Sequence, residues 1–447
     1  MSKEMKNRHQ HRPQAKGYSE AGASITRRAL RSFTASSGSP NEDIHWHNAT
    51  LRQRGRMLYM ASPIATSAIN TNRTKVVGTG LTLKSTIDRD VLGLSPEAAK
   101  EWQRKTEAEF RLWASKKENC DAIGVNNYAG LQQLALKSSL MSGDIFPLFK
   151  RYAPTQTNPY SLRIHLIEAD RVSTPTDFTR GLSFPQLTDG INPANGNKVY
   201  DGVEVDKNGM IVAYHICNTY PGQITAKKQK WVRVEAYGER TGLPNILHIM
   251  DSERPDQYRG ITYLAQVIEP LLQLRRYTES ELMAALVQSF FSAWITTNTD
   301  PTEIPINEVG AGDIAGVPGQ NPDEISEDPN EYEMGPGTVT HLSEGEDIKF
   351  GNPNIPTVGF ENFVKTLARL IGAGLEIPYE VLLKEFNSSY SASRAALLEA
   401  WEGFKMRRQW FIDDFTQPIY RWRIFQYVGG IENELTREQF VAFCKQS

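Results

Sequence analysis

The sequence predicts an α+β subunit rather than an all-helical or all-strand protein. Three observations carry this prediction: helical apolar spacing before residue 143, short strand-like runs between residues 145 and 250, and long helical patterns after residue 261. At 447 residues and 39% hydrophobic content, the chain is long enough for about two or three packed units. No run approaches ~18 consecutive apolar residues and the N-terminus is polar and basic, so we expect neither a membrane span nor a secretory signal.

The residue types most often used for catalysis do not form a recognisable set. Cys120, Cys217 and Cys444 are widely separated and contain no CxxC spacing, which predicts ordinary thiols rather than a zinc or redox site. The sequence contains no GxxxxGK[ST] phosphate loop and no GxGxxG motif. We therefore expect no cofactor, no bound metal and no nucleotide hydrolysis.

Residues 1–43 have the composition of a disordered basic arm, rich in Ser, Gly, Gln, Arg and Lys and poor in aliphatic residues. From the start of the chain to Met60, Lys and Arg outnumber Asp and Glu by eleven to four. Such an arm is compatible with contact to nucleic acid or to a neighbouring subunit, and also with a loose tail. His45 and His47 lack third and fourth ligands nearby, so we interpret them as the point where order begins rather than as a metal site.

The part of the chain that follows the arm predicts helices and then strands. Ser95 and Pro96 are good N-cap and N1 residues, and Asn208-Gly209 is a typical hairpin turn. The predicted elements are, in order, a helix at 64–73, a strand at 75–81, helices at 96–116 and 128–141, and strands at 145–152, 162–167, 202–206, 210–217 and 246–250.

The C-terminal half predicts long helices around an acidic segment. Leucine and other apolar residues recur at helical spacing over 264–294, until Pro301, and again over 360–374. Short strand candidates lie between these helices at 337–342 and 348–350. A long helix is expected over 391–427, with a kink at Pro418, and a short helix after Thr436.

The acidic segment has one sign of charge over an unusual length. Between Arg276 and Lys349 the chain has no Lys or Arg but has fifteen Asp and Glu, although the net charge of the whole chain is only −2. One interpretation is a solvated loop kept soluble by its carboxylates. The other is a surface that lets nucleic acid slide past, because it offers no phosphate contacts.

Four segments in this order resemble the lambda-like family of portal proteins of tailed bacteriophages. The likeness extends from about residue 50 to 428, with the predicted hairpin at 202–215 between the second and third segments. The segments are ATSAIN through VGTGL at 65–81, IEADRV at 167–172, ERPDQYRG at 253–260, and GAGLEIPYE with YSASRAAL at 372–397.

The resemblance implies a ring of subunits, typically twelve, at one vertex of the capsid. Double-stranded DNA would be packaged through its channel by a separate ATP-driven large terminase and later ejected. Further implied partners are the major capsid or scaffold protein and a head-completion adaptor, with no membrane and no enzymatic activity. The implied location is the virion, and the host cytoplasm during assembly.

The same resemblance implies a division of the chain and a set of functional residues. The implied parts are the arm at 1–43, an α+β wing at 44–260, a first stem helix at 261–298, an acidic clip at 299–356, a second stem helix at 357–375, a tunnel-loop region at 376–392, a long wing helix at 393–430 and a shortened crown at 431–447. The expected tunnel-loop residues for DNA contact are Lys384, Asn387, Ser388, Ser389 and Tyr390. The expected channel or clip acids are Asp323, Glu324, Glu327, Asp328, Glu331, Glu333, Glu344, Glu346 and Asp347. The expected residues for subunit packing are Glu253, Arg254, Leu271 and Trp401.

Two other functions stay open at this point. One is a metal-dependent nuclease or other α+β hydrolase that uses Asp323, Glu324 or Asp347 as ligands, although these acids lie among Gly and Pro without regular spacing. The other is a ring-forming adaptor without contact to the DNA motor. The sequence departs from the family at its end, where related chains usually continue, so either this chain is shortened or its crown is small.

Overall fold

A computed structural model describes residues 37–179, 189–221, 228–290, 294–297, 346–349, 360–386 and 390–430, with the single positions 28, 30, 32 and 223. The chain divides into two compact units. We call Met1–Ile268 together with Gly372–Ser447 the body, and Glu269–Ile371 the helical unit. Helices and strands both contribute to the described residues, which confirms the predicted α+β class. Most of the arm, most of the acidic segment and the crown lie outside the described residues, and the last residues predicted as arm, from Pro40 onward, are helical.

The body begins with two helices, α1 (Pro40–Ala61) and α2 (Pro63–Asn72). Helix α2 confirms the predicted helix at 64–73, whereas α1 was not predicted. The sequence nevertheless contains a signal for the start of α1, because Ser39 and Glu42 form a capping box and Pro40 occupies the first helical position. The helix that contains both histidines thus starts before them.

The predicted strand at 75–81 is wrong. Arg73–Val77 is a π-helical turn that continues α2, and Gly78 ends it with a positive φ of 60°. Arg408, which is far away in the sequence, donates to the carbonyl of Val76 at 2.9 Å. A long-range contact therefore satisfies backbone groups that a strand would have paired with a neighbour.

Four helices follow: α3 (Arg89–Leu92), α4 (Pro96–Ser115), α5 (Lys117–Cys120) and α6 (Tyr128–Ser142). The longer two confirm the predicted helices at 96–116 and 128–141. Ser95 accepts from the amide of Ala98 and caps α4 as predicted. Phe110 and Trp113 of α4 lie 5.4 and 5.3 Å from the ring of Tyr128, so aromatic packing joins α4 to α6.

The body contains two antiparallel sheets. The strands are β1 (Asp144–Arg151), β2 (Leu162–Glu168), β3 (Asp189–Ile191), β4 (Lys198–Tyr200), β5 (Val203–Val205), β6 (Ile211–Cys217), β7 (Trp231–Glu235) and β8 (Ile249–Met250). The first sheet has the order β2-β1-β8, and the second has five strands in sequence order, β3 to β7. Strands β3, β4 and β7 were not predicted, and the predicted run at 246–250 forms a strand only at its end.

The predicted hairpin between β5 and β6 is confirmed. Gly209 has a positive φ of 85°, and Asp206 and Met210 close the turn through a backbone hydrogen bond of 2.9 Å. The two sheets share a hydrophobic core to which Phe146 and Ile167 contribute from the first sheet and Tyr214 from the second. The core fixes the register of both sheets, because a slip of one residue would turn these side chains outward.

The helical unit contains most of α7 (Ile268–Phe290) and α8 (Phe360–Gly374), together with β9 (Trp294–Thr297) and β10 (Glu346–Lys349). Two predictions about the first long helix are wrong: it begins at Ile268 after a 3-10 turn, not at residue 261, and Trp294–Thr297 is a strand. The aromatic and β-branched residues of β9 favour pairing with β10, although a long stretch of chain separates the two strands. The strand predicted at 348–350 is confirmed as β10, and the one at 337–342 lies outside the described residues.

The body ends with α9 (Tyr379–Leu383), α10 (Tyr390–Phe411) and α11 (Gln417–Gly430). The predicted long helix at 391–427 is present, and Ile412–Thr416 forms a π-helical segment immediately before Pro418. Because proline cannot donate to the preceding turn, a change of helix geometry here has a local cause. Among the helices that the structure describes, none has the length and apolar content needed to cross a membrane.

Candidate functional site

Of the five residues predicted to contact DNA, two lie near the edges of a gap in the described chain and three lie within it. Lys384 is exposed and follows α9 with a left-handed φ of 59°. Tyr390 is the first residue of α10. Three predicted loop residues lie outside the described residues: Asn387, Ser388 and Ser389. The left-handed backbone at Lys384 ends α9 sharply, and contact of this loop with DNA stays a prediction.

The described chain contains the end of the acidic segment. Glu346 and Asp347 lie on β10, opposite Thr297 and Thr296 of β9. The remaining predicted channel or clip acids lie outside the described residues: Asp323, Glu324, Glu327, Asp328, Glu331, Glu333 and Glu344. Their position in a channel therefore stays a prediction.

Helix α7 carries both buried and exposed apolar residues. Leu271, predicted for subunit packing, is 2% exposed, so its side chain is already covered within the single chain. Leu282 and Met283 on the same helix are 63% and 59% exposed. A role for Leu271 between subunits stays a prediction, and the structure adds Leu282 and Met283 as residues more accessible to a second copy.

Glu253 and Arg254, also predicted for subunit packing, belong to a turn on the body surface. Their backbone amides donate to the side-chain oxygen of Gln257 at 2.9 and 3.2 Å. The Arg254 guanidinium pairs with Asp43 and donates to the carbonyl of Gly38 at 3.2 Å. Within one subunit this arginine therefore holds the beginning of α1, and its contact with a neighbour stays a prediction.

Trp401, the fourth predicted packing residue, lies on α10 beside an arginine that anchors this helix. The Arg408 guanidinium is 5.3 Å from the centre of the Trp401 ring. It also donates to the carbonyls of Val76 and Lys75 at 2.9 and 2.5 Å. Arg408 thus fixes α10 to the π-helical turn Arg73–Val77 that continues α2. Helix α10 is the helix that follows the predicted tunnel loop.

The segment at 253–260 ends at an arginine that is fully buried in the body. Arg259 donates from Nε and Nη2 to both carboxylate oxygens of Asp144, at 2.6 and 3.1 Å. Its Nη1 lies 2.7 Å from Oδ2 of Asp201. Further hydrogen bonds reach the carbonyls of Ala169 and Val172 at 2.9 and 3.0 Å. One side chain thereby joins the start of β1, the turn after β2 and the turn before β5.

Helix α1 extends this buried network with two more arginines. Arg52 donates to Asp170 at 3.3 Å and to Asp201 at 3.4 Å, and Arg56 pairs with Asp170. The two arginines are four residues apart and therefore share one face of α1. With Arg259 and its partner Asp144, three arginines face three aspartates, and Arg56 also lies 3.9 Å from Glu168.

The ionisation of Asp144 indicates a structural role. Burial alone would raise the pKa of Asp144, but the Arg259 guanidinium and a hydrogen bond from His248 hold it well below its usual range. Burial lowers the pKa of His248, whose Nε2 lies 3.4 Å from the carboxylate. A carboxylate that stays ionised at all working pH values is a poor general base, because a base works best with a pKa near the operating pH. The network therefore holds the body together and does not resemble a catalytic pair.

A second buried carboxylate organises the five-stranded sheet. Glu204 accepts from Nε of Arg233 at 2.9 Å, and Nε2 of His215 lies 2.9 Å from it. Three asparagine amides of the turn between β3 and β4 also donate to it: Asn192, Asn195 and Asn197. Although burial would raise the pKa of Glu204, the hydrogen bonds from Arg233 and the asparagines lower it. Glu204 is therefore a charged anchor for that turn.

Sequence reasoning did not assemble the Arg259 network. Arg259 and Asp170 lie inside two of the segments that carry the family resemblance, but nothing local indicates that Arg259 pairs with Asp144, 115 residues away. Two glycines in the sequence are consistent with this contact. Gly143 precedes Asp144 and Gly260 follows Arg259. A Cβ on Gly143 would lie 2.4 Å from the Gly260 carbonyl oxygen, so both positions require glycine.

The nuclease alternative gains no support from the described residues. Within them, no group of three or more His, Cys, Asp or Glu is arranged to hold a metal ion. Asp347 lies on β10, and the other two proposed ligands, Asp323 and Glu324, lie outside the described residues.

A family model for phage portal proteins of the lambda family matches residues 26–408, which is well over half of the chain. The chain belongs to the lambda family of phage portal proteins. Portal proteins are structural components of virions, so membership assigns this chain to structural proteins and not to enzymes. It also confirms the resemblance seen in the sequence.

Individual relatives are distant. The portal protein B of Escherichia phage lambda is 22% identical over 356 residues, covering 77% of this chain and 62% of the relative. The portal protein of Escherichia phage N15 is 22% identical over 357 residues, covering 77% and 63%. The chain thus spans less than two thirds of the length of either relative. A solved structure of the neck of a native gene transfer agent particle, computed with C12 symmetry, is 13% identical with a TM-score of 0.46, covering 89% of this chain and 93% of that one.

Proposed function

We propose that this chain is the subunit of a homo-oligomeric ring at one capsid vertex, with twelve copies as the expected number. The ring surrounds a channel through which double-stranded DNA is packaged and later ejected. Membership of the portal family, from the match over residues 26–408, carries the proposal. The element order supports it, since α7 and α8 flank the acidic segment in the chain and share one compact unit.

The charge of the acidic segment suits a channel or a docking face. Between Arg276 and Lys349 it carries fifteen acids and no Lys or Arg, and a ring repeats this charge in every copy. Each phosphate contact adds salt-dependent affinity that would hold DNA in place, and acidic side chains provide no such contact. DNA would therefore pass an acidic lining without being retained.

The remaining partners are part of the same proposal. We expect the large terminase and the head-completion adaptor to bind the ring on its outer side, and the major capsid or scaffold protein to bind it during assembly in the host cytoplasm. Retention of the large terminase of the same phage on immobilised rings would test the first of these contacts. Its failure to bind assembled rings would remove the terminase from the proposal.

Ring formation is tested by negative-stain electron microscopy of the purified full chain, with its mass from light scattering. We expect rings with a central hole and about a dozen subunits. Met283→Asp on α7 is expected to leave a folded monomer without rings, because a charge would replace an exposed apolar contact. Met210→Asp is the matched control, since Met210 is equally exposed, at 59%, in the hairpin of the body.

The outcomes of this experiment separate the alternatives. Rings from Met283→Asp would show that this face of α7 does not join subunits, while the ring itself would stand. A wild-type monomer that cleaves DNA with added divalent metal would overturn the portal assignment in favour of the nuclease.

Lys384 is the described residue of the tunnel loop that we propose for light, reversible contact with DNA. Lys384→Glu is expected to lower the yield of packaged DNA without affecting ring assembly, because it replaces a cation with an anion at the loop. Lys405→Glu, an exposed lysine on α10, is the control. Normal packaging by Lys384→Glu would contradict the assignment.

A further inference from the structure

Two cationic side chains lie directly opposite each other on the three-stranded sheet. In the antiparallel register of β1 and β2, Lys150 pairs with Arg163 and Leu148 pairs with His165. Opposed residues, and residues two apart on a strand, share one face of a sheet, so Lys150, Arg163 and His165 lie on the same face. Like charges placed directly opposite destabilise a strand pair. The sheet therefore carries an arrangement that its own stability does not favour.

A further cation adds to this positive region. Burial first, and then the charges of Lys150 and Arg171, lower the pKa of His165 to about 4, against the opposing effect of Asp121. Arg171 belongs to the 3-10 turn Ala169–Arg171, which directly follows β2. We call Lys150, Arg163 and Arg171, together with the imidazole of His165, which is uncharged near neutral pH, the cationic patch.

The patch lacks the carboxylate partners that several other arginines of the body have. Within the described part of the chain, none of its four residues forms an ion pair. Arg163 lies 4.5 Å from the centre of the Tyr152 ring, and Arg171 donates from Nε to the carbonyl of Cys217 at 3.1 Å. By contrast, carboxylates pair with each of these arginines of the body: Arg52, Arg56, Arg233, Arg254 and Arg259.

These neutral contacts position the arginines without neutralising them. A guanidinium held by a ring or by a carbonyl keeps its charge and further N–H donors for another ligand. Two side-chain nitrogens in the patch, Nε of Arg163 and Nδ1 of His165, are buried without a hydrogen-bond partner. Half-buried cations that are held in place but not paired favour an anion that comes from outside the chain.

We propose that Lys150, Arg163 and Arg171 bind the phosphodiester backbone of double-stranded DNA. The three cations are distributed over two strands and the turn that follows, and a phosphodiester backbone offers a row of separated charges that suits such a distribution. Protein partners usually bind through apolar or aromatic anchors in pockets, whereas the patch presents cations. The proposal goes beyond the tunnel-loop and acidic-segment residues proposed above, because Lys150 and Arg163 lie on the sheet of the body.

The test measures DNA affinity of the full chain by fluorescence anisotropy, with a short duplex of random sequence at several salt concentrations. The double variant Lys150→Gln with Arg163→Gln is expected to bind about 10-fold more weakly at low salt. Its slope of log affinity against log salt should be shallower by about 2, since two phosphate contacts are lost. Its thermal midpoint should equal or exceed that of the wild type, because the opposed charges are gone.

Lys100→Gln with Arg104→Gln removes the same charge from the exposed face of α4 and serves as the matched control. We expect it to keep the wild-type slope. Equal losses in both double variants, or an unchanged slope in the Lys150 and Arg163 variant, would overturn the proposal. Displacement of the DNA by polyglutamate at equal charge concentration would also overturn it, and would assign the patch to an acidic protein instead.

Discussion

The body and the helical unit each contain an arginine–carboxylate pair of nearly the same length in opposite surroundings. In the body, Nε of Arg259 lies 2.6 Å from Asp144, and both side chains are fully buried. In the helical unit, Nε of Arg275 lies 2.7 Å from Glu279, and both are more than half exposed. Water already solvates the second pair, whereas loss of one partner in the first leaves a buried charge without compensation. The nitrogen–oxygen distance therefore does not predict which of the two ion pairs contributes more to stability.

The largest expected effect comes from breaking the buried pair. Arg259→Leu should lower the free energy of unfolding by about 3–5 kcal/mol, because Asp144 and Asp201 lose their cation inside the protein. Urea unfolding followed by circular dichroism measures this loss. Arg275→Leu, the matched change in the helical unit, should cost no more than about 0.5 kcal/mol.

Two results would contradict the prediction that the buried ion pair contributes more to stability than the exposed one. Equal losses from Arg259→Leu and Arg275→Leu would show that the buried network does not anchor the body. If Arg259→Leu is insoluble, Asp144→Asn removes one charge with little change of shape and should give a smaller, measurable loss. A wild-type midpoint for Asp144→Asn would contradict the role assigned to the network.

An intermediate effect is expected in the helical unit, where aromatic contacts join α7 to α8. The ring of Tyr277 stacks on Phe360 at 5.5 Å and meets Phe363 edge-on at 4.6 Å. Tyr277→Ala should reduce the local stability of the helix pair by about 1–2 kcal/mol. Hydrogen exchange should become faster in α7 and α8 and stay unchanged in β1.

A control for this change is available in the body. Tyr237 is exposed, so Tyr237→Ala should leave exchange in both units at the wild-type rate. If Tyr277→Ala accelerated exchange in β1 as much as in α7, the two units would unfold together. They would then not be independent units of stability.

The elements that the sequence predicted correctly have local causes. The N-cap at Ser95 begins α4, and the Asn208-Gly209 turn joins β5 to β6, as short-range chemistry requires. Helix α1 was missed although its capping box is local, whereas two other failures have distant causes. The π turn at Arg73–Val77 binds Arg408, and β9 pairs with a strand on the far side of the acidic segment. No short window of sequence contains either partner.

The candidate site shows a similar division. Two of the segments that revealed the family, at 167–172 and 253–260, contribute Asp170 and Arg259 to the buried network. A motif can thus identify a family through the residues that fold it. The tunnel-loop and acidic residues were assigned by resemblance, and their roles depend on a ring that a single chain does not contain.

The smallest expected effect concerns a body carboxylate that has no cation paired with it among the described residues. Burial first, and then the neighbouring charge of Asp413, raise the pKa of Asp414 to about 6. The folded state therefore holds this proton more tightly than the unfolded chain does. Its contribution to stability is complete below about pH 4 and is lost as the pH rises through about 6.

Asp414→Asn should remove this pH dependence. At pH 7.5 the variant should be more stable than the wild type by at most about 1 kcal/mol, because partial exposure weakens the effect, and at pH 4 the two should agree. Urea midpoints across this range measure the difference, with the exposed Asp90→Asn as control. A variant that is less stable at pH 7.5 would mean that the ionised Asp414 makes a favourable contact. Asp414 and Asp144 would then no longer differ, because the folded body would stabilise the ionised form of both carboxylates.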